Sequence, residues 1–210
     1  MPALVALTVV DDPDRWRDLG FSVAADGTCQ VGAVRFELVP PGEGEEPAVV
    51  AWAFDGLAGD PLGIDGIPTA VADPAVGEAS HHPNGATSLD HLVVTTPDVD
   101  RTVTALEAAG LKALRERPTE AGGRPMRQVF FRPGEAIVEL VGPSGSHSTG
   151  RAKFYGLAFT VADLDAAAAR LGDAVGRIKP AVQPGRRIAT VRAAGGPGVP
   201  IALMSGEPEG

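Results

Sequence analysis

His91, the third residue of the segment LDHLVVTTPDVDRTVTALEAAG that begins at Leu89, and Glu139, in the middle of AIVELVGP, are the side chains best placed to do chemistry. An imidazole and a carboxylate on neighbouring strands can bind a divalent ion whose shell is completed by substrate oxygens. The same pair can instead form a metal-free hydrogen bond and move a proton, or serve only as a buried structural pair. Zinc sites usually take three or more protein ligands. The metal reading therefore needs a third donor: His82 or Glu37 first, with His81, His147 or a second subunit as further sources.

Alternation along strands sets which residues share a face with this pair. On PMRQVFFR, Gln128, Phe130 and Arg132 fall together; in the last third of the chain Thr160 and Met204 do so, beside the small residues Gly156, Ala158 and Ala202 that leave room for a ligand. These are the expected substrate contacts. The segment QPGRR adds Arg186 and Arg187, of which Arg187 is expected to grip an anionic substrate edge through its guanidinium fork.

The elements that must position these residues recur along the chain. An apolar strand runs into an Asp/Pro helix start, a short Ala/Leu-rich helix ends at glycine, and further strands follow. Helix starts are DDPDRWRDLG from Asp11, TPDVDRTVTALEAAG from Thr96 and ADLDAAAARLG from Ala162, with Asp12 and Thr96 as caps and Gly20, Gly110 and Gly172 as stops. Val99, Val103, Leu106 and Ala109 form the buried stripe of the second helix. The first copy continues as GFSVAA, TCQV and AVRFELV; the second as LKALRER, PMRQVFFR and EAIVELV, with a hairpin signal at Pro133-Gly134; the third as VGRIKPAV, RRIATVR and VPIALM. A fourth copy is truncated: VVAWAFDGL reads as its first strand, but GDPLGIDGIP is too rich in Gly and Pro for a helix, and the residues after it read as loop.

This gives an α+β fold of βαβββ modules of about 55 residues, two of which pair into an open, cup-shaped mixed sheet with helices outside. The divisions are 1–70 for an N-terminal module with a truncated second one, 71–87 for a linker, 88–143 for the module carrying His91 and Glu139, 144–152 for a second linker, and 153–206 for a module lacking ligand residues.

A net charge of −9 with no basic cluster argues against nucleic acid and an anionic membrane surface as partners. No apolar stretch approaches the roughly 20 residues of a membrane span, and the first residues lack a basic leader, so a cytoplasmic location is expected. A single cysteine, Cys29, fits a reducing compartment and reads as a small buried hydrophobe. Neither a Walker loop, a dinucleotide fingerprint nor a nucleophile elbow is present.

LDHLVVTTPDVDRTVTALEAAG with FFRPGEAIVELVGP, repeated more loosely as YGLAFTVADLDAAAARLG with GVPIALMSG, resembles the vicinal oxygen chelate superfamily of glyoxalases, extradiol dioxygenases and bleomycin-resistance proteins. The resemblance covers Ser88 to Gly206 well and Pro2 to Pro40 moderately. It implies a glyoxalase-like enzyme acting on a small oxygenated metabolite, with His91 and Glu139 at the positions where the family's metal enzymes carry ligands. A divalent Zn, Ni, Mn or Fe ion is the implied cofactor, and a homodimer is compatible with the family's habit of pairing modules between chains. The third copy departs from the pattern, with Gly156 opposite His91 and Ala202 opposite Glu139. That departure suits the other branch the resemblance offers, a non-catalytic binder of drugs or metabolites without metal.

Overall fold

The structure, a computed structural model, describes residues 1–59, 62–74, 80–145, 148–194 and 196–207. Two sheets pack against each other. The N-terminal one is built from β1 (Ala3–Val10), β2 (Thr28–Val31), β3 (Val34–Val39), β4 (Ala48–Asp55), β5 (Gly63–Ile64) and β6 (Ile67–Val71), in the order β2-β3-β1-β4-β6-β5. The C-terminal sheet contains β7 (Ala86–Thr95), β8 (Ala113–Ala121), β9 (Arg124–Phe131), β10 (Ile137–Pro143), β11 (Lys153–Val161), β12 (Lys179–Pro180), β13 (Arg187–Thr190) and β14 (Ile201–Ser205), in the order β12-β13-β14-β11-β7-β10-β9-β8. Its centre is the antiparallel pair β7–β11, the first strands of two βαβββ modules. Each also pairs in parallel with the last strand of its own module, β7 with β10 and β11 with β14. The sheet curls into an open cup, the paired-module architecture expected from the repeat.

Helices α1 (Pro13–Asp18), α2 (Val99–Ala108) and α3 (Leu164–Leu171) start where the sequence places them. Asp12 caps α1 and Asp163 caps α3 by accepting backbone N–H groups of the first turn. The cap of α2 is Asp98, not Thr96. Thr96 is instead buried, its hydroxyl bonded to Thr102 inside the helix–strand junction. Val99 and Leu106 are buried as the helical stripe requires, joined by Ala109 and Thr102, while Val103 is only partly buried.

Two further departures have clear causes. GFSVAA makes no strand, because other groups take its backbone partners: Arg17 donates to the carbonyls of Val23 and Ala24, and the Ser22 N–H donates to His82. The truncated copy has its first strand, β4, and its described residues hold no helix. Yet part of the expected loop pairs as the β5–β6 hairpin, closed by Asp65 and Gly66 at φ 47° and 85°.

The sheets meet through aromatic contacts. Trp16 of α1 is fully buried, with Phe21 and Phe36 tilted against it and Phe159 of β11 edge-on at 6.1 Å. Trp52 meets Phe154 the same way at 5.2 Å. Leu92, Val94, Val138, Leu140, Phe159 and Leu203 are buried on the packed face of the cup sheet, leaving His91, Val93 and Glu139 for its hollow side. No helix of the described residues is long and apolar enough to cross a membrane.

Candidate functional site

The hollow of the C-terminal sheet is a cavity of about 470 Å³ lined by His91, Val93, Gln128, Phe130, Glu139 and Met204, with Arg115, Arg117, Ile188 and the 179–184 segment at its walls. His91 enters it through an irregularity in β7. Leu89 lies opposite Phe159 and His91 opposite Ala158, so Asp90 is one residue too many for the ladder, a β-bulge. Strict alternation would turn Asp90 away from His91. The bulge instead brings the two carboxylate and imidazole groups together, with Nδ1 of His91 at 2.8 Å from Oδ2 of Asp90.

The Asp90 side chain is only 8% exposed and is densely bonded. A guanidinium nitrogen of Arg186 lies at 2.6 Å, and the Thr160 hydroxyl donates to Oδ1 at 3.2 Å. Arg186 is itself buried and donates from two nitrogens to the Ser205 carbonyl, at 2.9 and 2.8 Å. Burial pulls the Asp90 carboxyl upward, but the hydrogen bonds from His91 and Arg186 outweigh it and hold the group below the usual carboxylate range. An ionised Asp90 fixes the His91 tautomer: Nδ1 carries the proton donated to the carboxylate, leaving Nε2, without a partner among the described residues, as the acceptor on the cavity side.

Glu139 reaches the cavity from β10, one row from His91: in the parallel register Ile137 faces His91 and Glu139 faces Val93. No hydrogen bond joins His91 and Glu139 among the described residues. Glu139 accepts instead from the Gln128 side-chain amide, and the Gln128 carbonyl accepts from Arg117. Arg117, Gln128 and Glu139 thus form a chain across β8, β9 and β10. Arg115 stands opposite Phe130 with its guanidinium 4.6 Å from the ring centroid, and Arg117 approaches the same ring at 5.3 Å.

The structure gathers His91, Glu139, Gln128, Phe130 and Met204 at the cavity, as alternation along the strands predicts. Thr160 stands beside them as a partner of Asp90 and not as part of the lining. Arg132 lies outside: just past the end of β9, it borders surface clefts near Met1 and near Glu135. Arg187 is exposed and pairs through both terminal nitrogens with Asp165 of α3 at 3.1 and 2.6 Å, so it does not grip a ligand in the cup.

Neither proposed third metal donor is near. His82 is buried against the N-terminal unit, edge-on to Phe21, with Nδ1 accepting from Ser22 N–H at 3.0 Å and Nε2 bonded to the Gln30 carbonyl at 2.9 Å. Glu37 sits on β3 of the other sheet, paired with Arg35. His147 falls outside the described residues. Among those residues no group of three or more His, Cys, Asp or Glu side chains could hold a metal ion. The third copy cannot supply the missing ligand either, because a Cβ at Gly156 would stand 2.7 Å from the Pro200 carbonyl oxygen. His91 and Glu139 alone therefore do not fit a metal held by three protein ligands.

Asp90, Arg115, Arg117 and Lys179 were not legible as site residues from motif position. Arg115 and Arg117 carried one usable signal, since two cations spaced by two in LKALRER share a face. Asp90 carried none, because only the bulge turns it inward.

Comparison with known proteins agrees with this architecture. A search among curated proteins finds no match. Among solved structures, a triple mutant of 4-hydroxymandelate synthase from Streptomyces coelicolor matches with a TM-score of 0.67 at 16% identity, over 99% of this chain and 94% of that one. A xylose isomerase-like TIM barrel/4-hydroxyphenylpyruvate dioxygenase fusion protein matches at 0.63 and 12% identity, over 99% of this chain and 50% of that one. Methylmalonyl-CoA epimerase from Mycobacterium tuberculosis gives 0.45 at 23% identity, over 59% of this chain and 91% of that one. Residues 90–194, half of the chain and the cup sheet from within β7 to β13, match the profile of the Glyoxalase/Bleomycin resistance protein/Dioxygenase superfamily, and the chain belongs to that superfamily.

Proposed function

We propose that the protein is a glyoxalase-like enzyme that moves a proton on a small oxygenated metabolite held in the cup formed by modules 88–143 and 153–206, with the N-terminal unit 1–70 bracing it from behind. Proteins of this superfamily commonly use a divalent metal. With two protein donors in the cavity, no step here is routed through one. The observation that carries the reading is the bulge-built Asp90–His91 pair opening on a cavity that also contains Glu139.

His91 Nε2 takes a proton from a carbon beside a carbonyl, and the C–H electron pair moves onto the carbonyl oxygen as an enolate. Asp90 keeps Nδ1 protonated and faces the imidazolium that results, as an orienting carboxylate does. Glu139, held by Gln128, is the second group able to take or return a proton, from a neighbouring strand. Return of the proton to the same carbon from another side, or to its neighbour, gives an epimer or an isomer. Gln128, Phe130 and Met204 supply the walls that orient the substrate.

The test is solvent exchange. A panel of small α-keto, α-hydroxy and α-methyl acids and their thioesters is incubated with the protein in D2O and followed by proton NMR. Deuterium should enter the α-carbon of at least one compound, and His91→Ala and Glu139→Gln should each abolish its entry. Metal analysis of protein purified without chelator runs alongside. A ligand retained by the protein and released unchanged, with no exchange across the panel, would favour the second reading, a non-catalytic binder of the bleomycin-resistance type. The lack of ligand-bearing side chains at Gly156 and Ala202 supports that alternative.

A further inference from the structure

Three cations of this acidic chain gather on the walls of the cup. Arg127 pairs with Asp100 and Glu116, Arg186 with Asp90 and Arg187 with Asp165. Arg115, Arg117 and Lys179 line the cavity with no carboxylate within ion-pair distance among the described residues.

The placement is a product of strand alternation. On β8, Glu116 lies between the two arginines and is turned to the other face, where Arg127 of β9 takes its carboxylate at 2.8 Å. The acid nearest in sequence is thus spent outside the cup, and the cup face keeps only the cations. The cross-strand register then sets Arg115 opposite Phe130 and Arg117 opposite Gln128, and both guanidiniums converge on the Phe130 ring. Two like charges brought to one ring repel each other, and an anion between them removes that repulsion.

Lys179 stands on the facing wall, reached through the row Thr160, Met204, Ile188 and Lys179 across β11, β14, β13 and β12. The acid of the cavity, Glu139, belongs to the catalytic side and is already bonded to Gln128. The local balance is therefore positive, with three cations to one carboxylate, inside a chain of net charge −9.

We propose that the substrate carries an oxyanion group, a carboxylate or a phosphate, seated between Arg115 and Arg117 and faced by Lys179, while its reacting carbon lies toward His91 and Glu139. The anion contact falls on β8 and β12, the two edge strands of the sheet, and not on the Arg186-Arg187 pair that sequence alone nominates. This assignment rests on the cup being the reacting site, but its test does not depend on turnover.

Binding is measured by NMR titration of ¹⁵N-labelled protein with three non-reacting probes of one shape: benzoate, phenyl phosphate and the neutral benzyl alcohol. Benzoate or phenyl phosphate should shift the Nε–H signals of Arg115 and Arg117 and bind at least about ten-fold more tightly than benzyl alcohol, with affinity falling as salt is raised. The tighter of the two anions identifies the group the natural substrate carries. The double variant Arg115→Gln/Arg117→Gln should lose the preference for the charged probes, and Lys179→Gln, on the opposite edge strand, should reduce it independently. The readout is binding and not turnover, so a failure of the catalytic reading leaves this result intact. Equal affinity for charged and neutral probes, or an anion preference that survives the double variant in protein with an unchanged amide spectrum, would overturn the proposal.

Discussion

Replacing Asp90 by Asn keeps the shape of the side chain and removes its charge. In the folded protein that charge faces a guanidinium at 2.6 Å, and both partners are more than nine-tenths buried. The variant leaves Arg186 with the Ser205 carbonyl and the Thr160 hydroxyl but no counter-charge. Breaking one side of a buried ion pair costs about 3–5 kcal/mol. In a chain of this length each kcal/mol moves Tm by about 2–4 °C, so the loss should be about 6–20 °C. Urea unfolding followed by the fluorescence of Trp16 and Trp52, one in each of two buried clusters of the N-terminal unit, measures the free energy directly. The double variant Asp90→Asn/Arg186→Met removes both charges and should regain most of the lost stability, because the penalty lies in the orphaned cation. It should not regain proton exchange on a substrate, since His91 still lacks its orienting carboxylate. In the wild type the Asp90 contribution is present above about pH 3.8, its unfolded value, and is lost as pH falls through its lower folded value. An Asp90→Asn protein within about 1 kcal/mol of wild type, or a double variant less stable than the single one, would refute the reasoning.

Other outcomes follow from the same geometry. Burial, and secondarily the neighbouring His81, hold the His82 imidazole below its usual value of about 6.5; the unfolded chain then binds the extra proton, so stability should fall as pH drops below about 6.5. His82→Phe should flatten that part of the urea-midpoint profile between pH 7.5 and 5, and an unchanged slope would show that another group titrates there. Asp11, fully buried, accepts from Trp16 Nε1 at 3.1 Å and from the Gly198 N–H at 2.9 Å; Asp11→Ala should cost at least about 3 kcal/mol by stranding these donors, and a loss under about 1 kcal/mol in urea unfolding would contradict it. Burial pushes the Cys29 thiol up to about 12, so iodoacetamide at pH 8 should label it only at the rate of global unfolding, and rapid labelling of the native protein would count against the packing described.

The module plan was legible because each copy repeats local signals: Asp before each helix, Gly after it, and an apolar first strand that becomes β1, β7 or β11. Where a copy departs, the cause is a long-range partner. Residues 21–24 leave strand geometry because Arg17 and His82 claim their backbone groups, and His82 lies 60 residues from Ser22. The site was half legible. His91 and Glu139 stood at recognisable positions, and Gln128, Phe130 and Met204 followed by counting in twos. Asp90 was hidden because a bulge breaks that count, and a bulge is set by what β11 offers across the ladder. The third-ligand candidates failed for a related reason: nothing local to His82 reports its bonds to Ser22 and Gln30, and Glu37 lies on β3 of the other sheet.

The Asp11 contact with Gly198 spans 187 residues. During synthesis at about 5–20 residues per second, Asp11 waits about 10–40 s for that N–H to be made. In that interval the N-terminal sheet carries a carboxylate shaped for burial but still facing water, and Trp16 lacks the ring of Phe159 that covers it. The nascent chain is thus expected to stay open to chaperones until its last module emerges, and the final closing of the two sheets to be the slow, non-local step of folding.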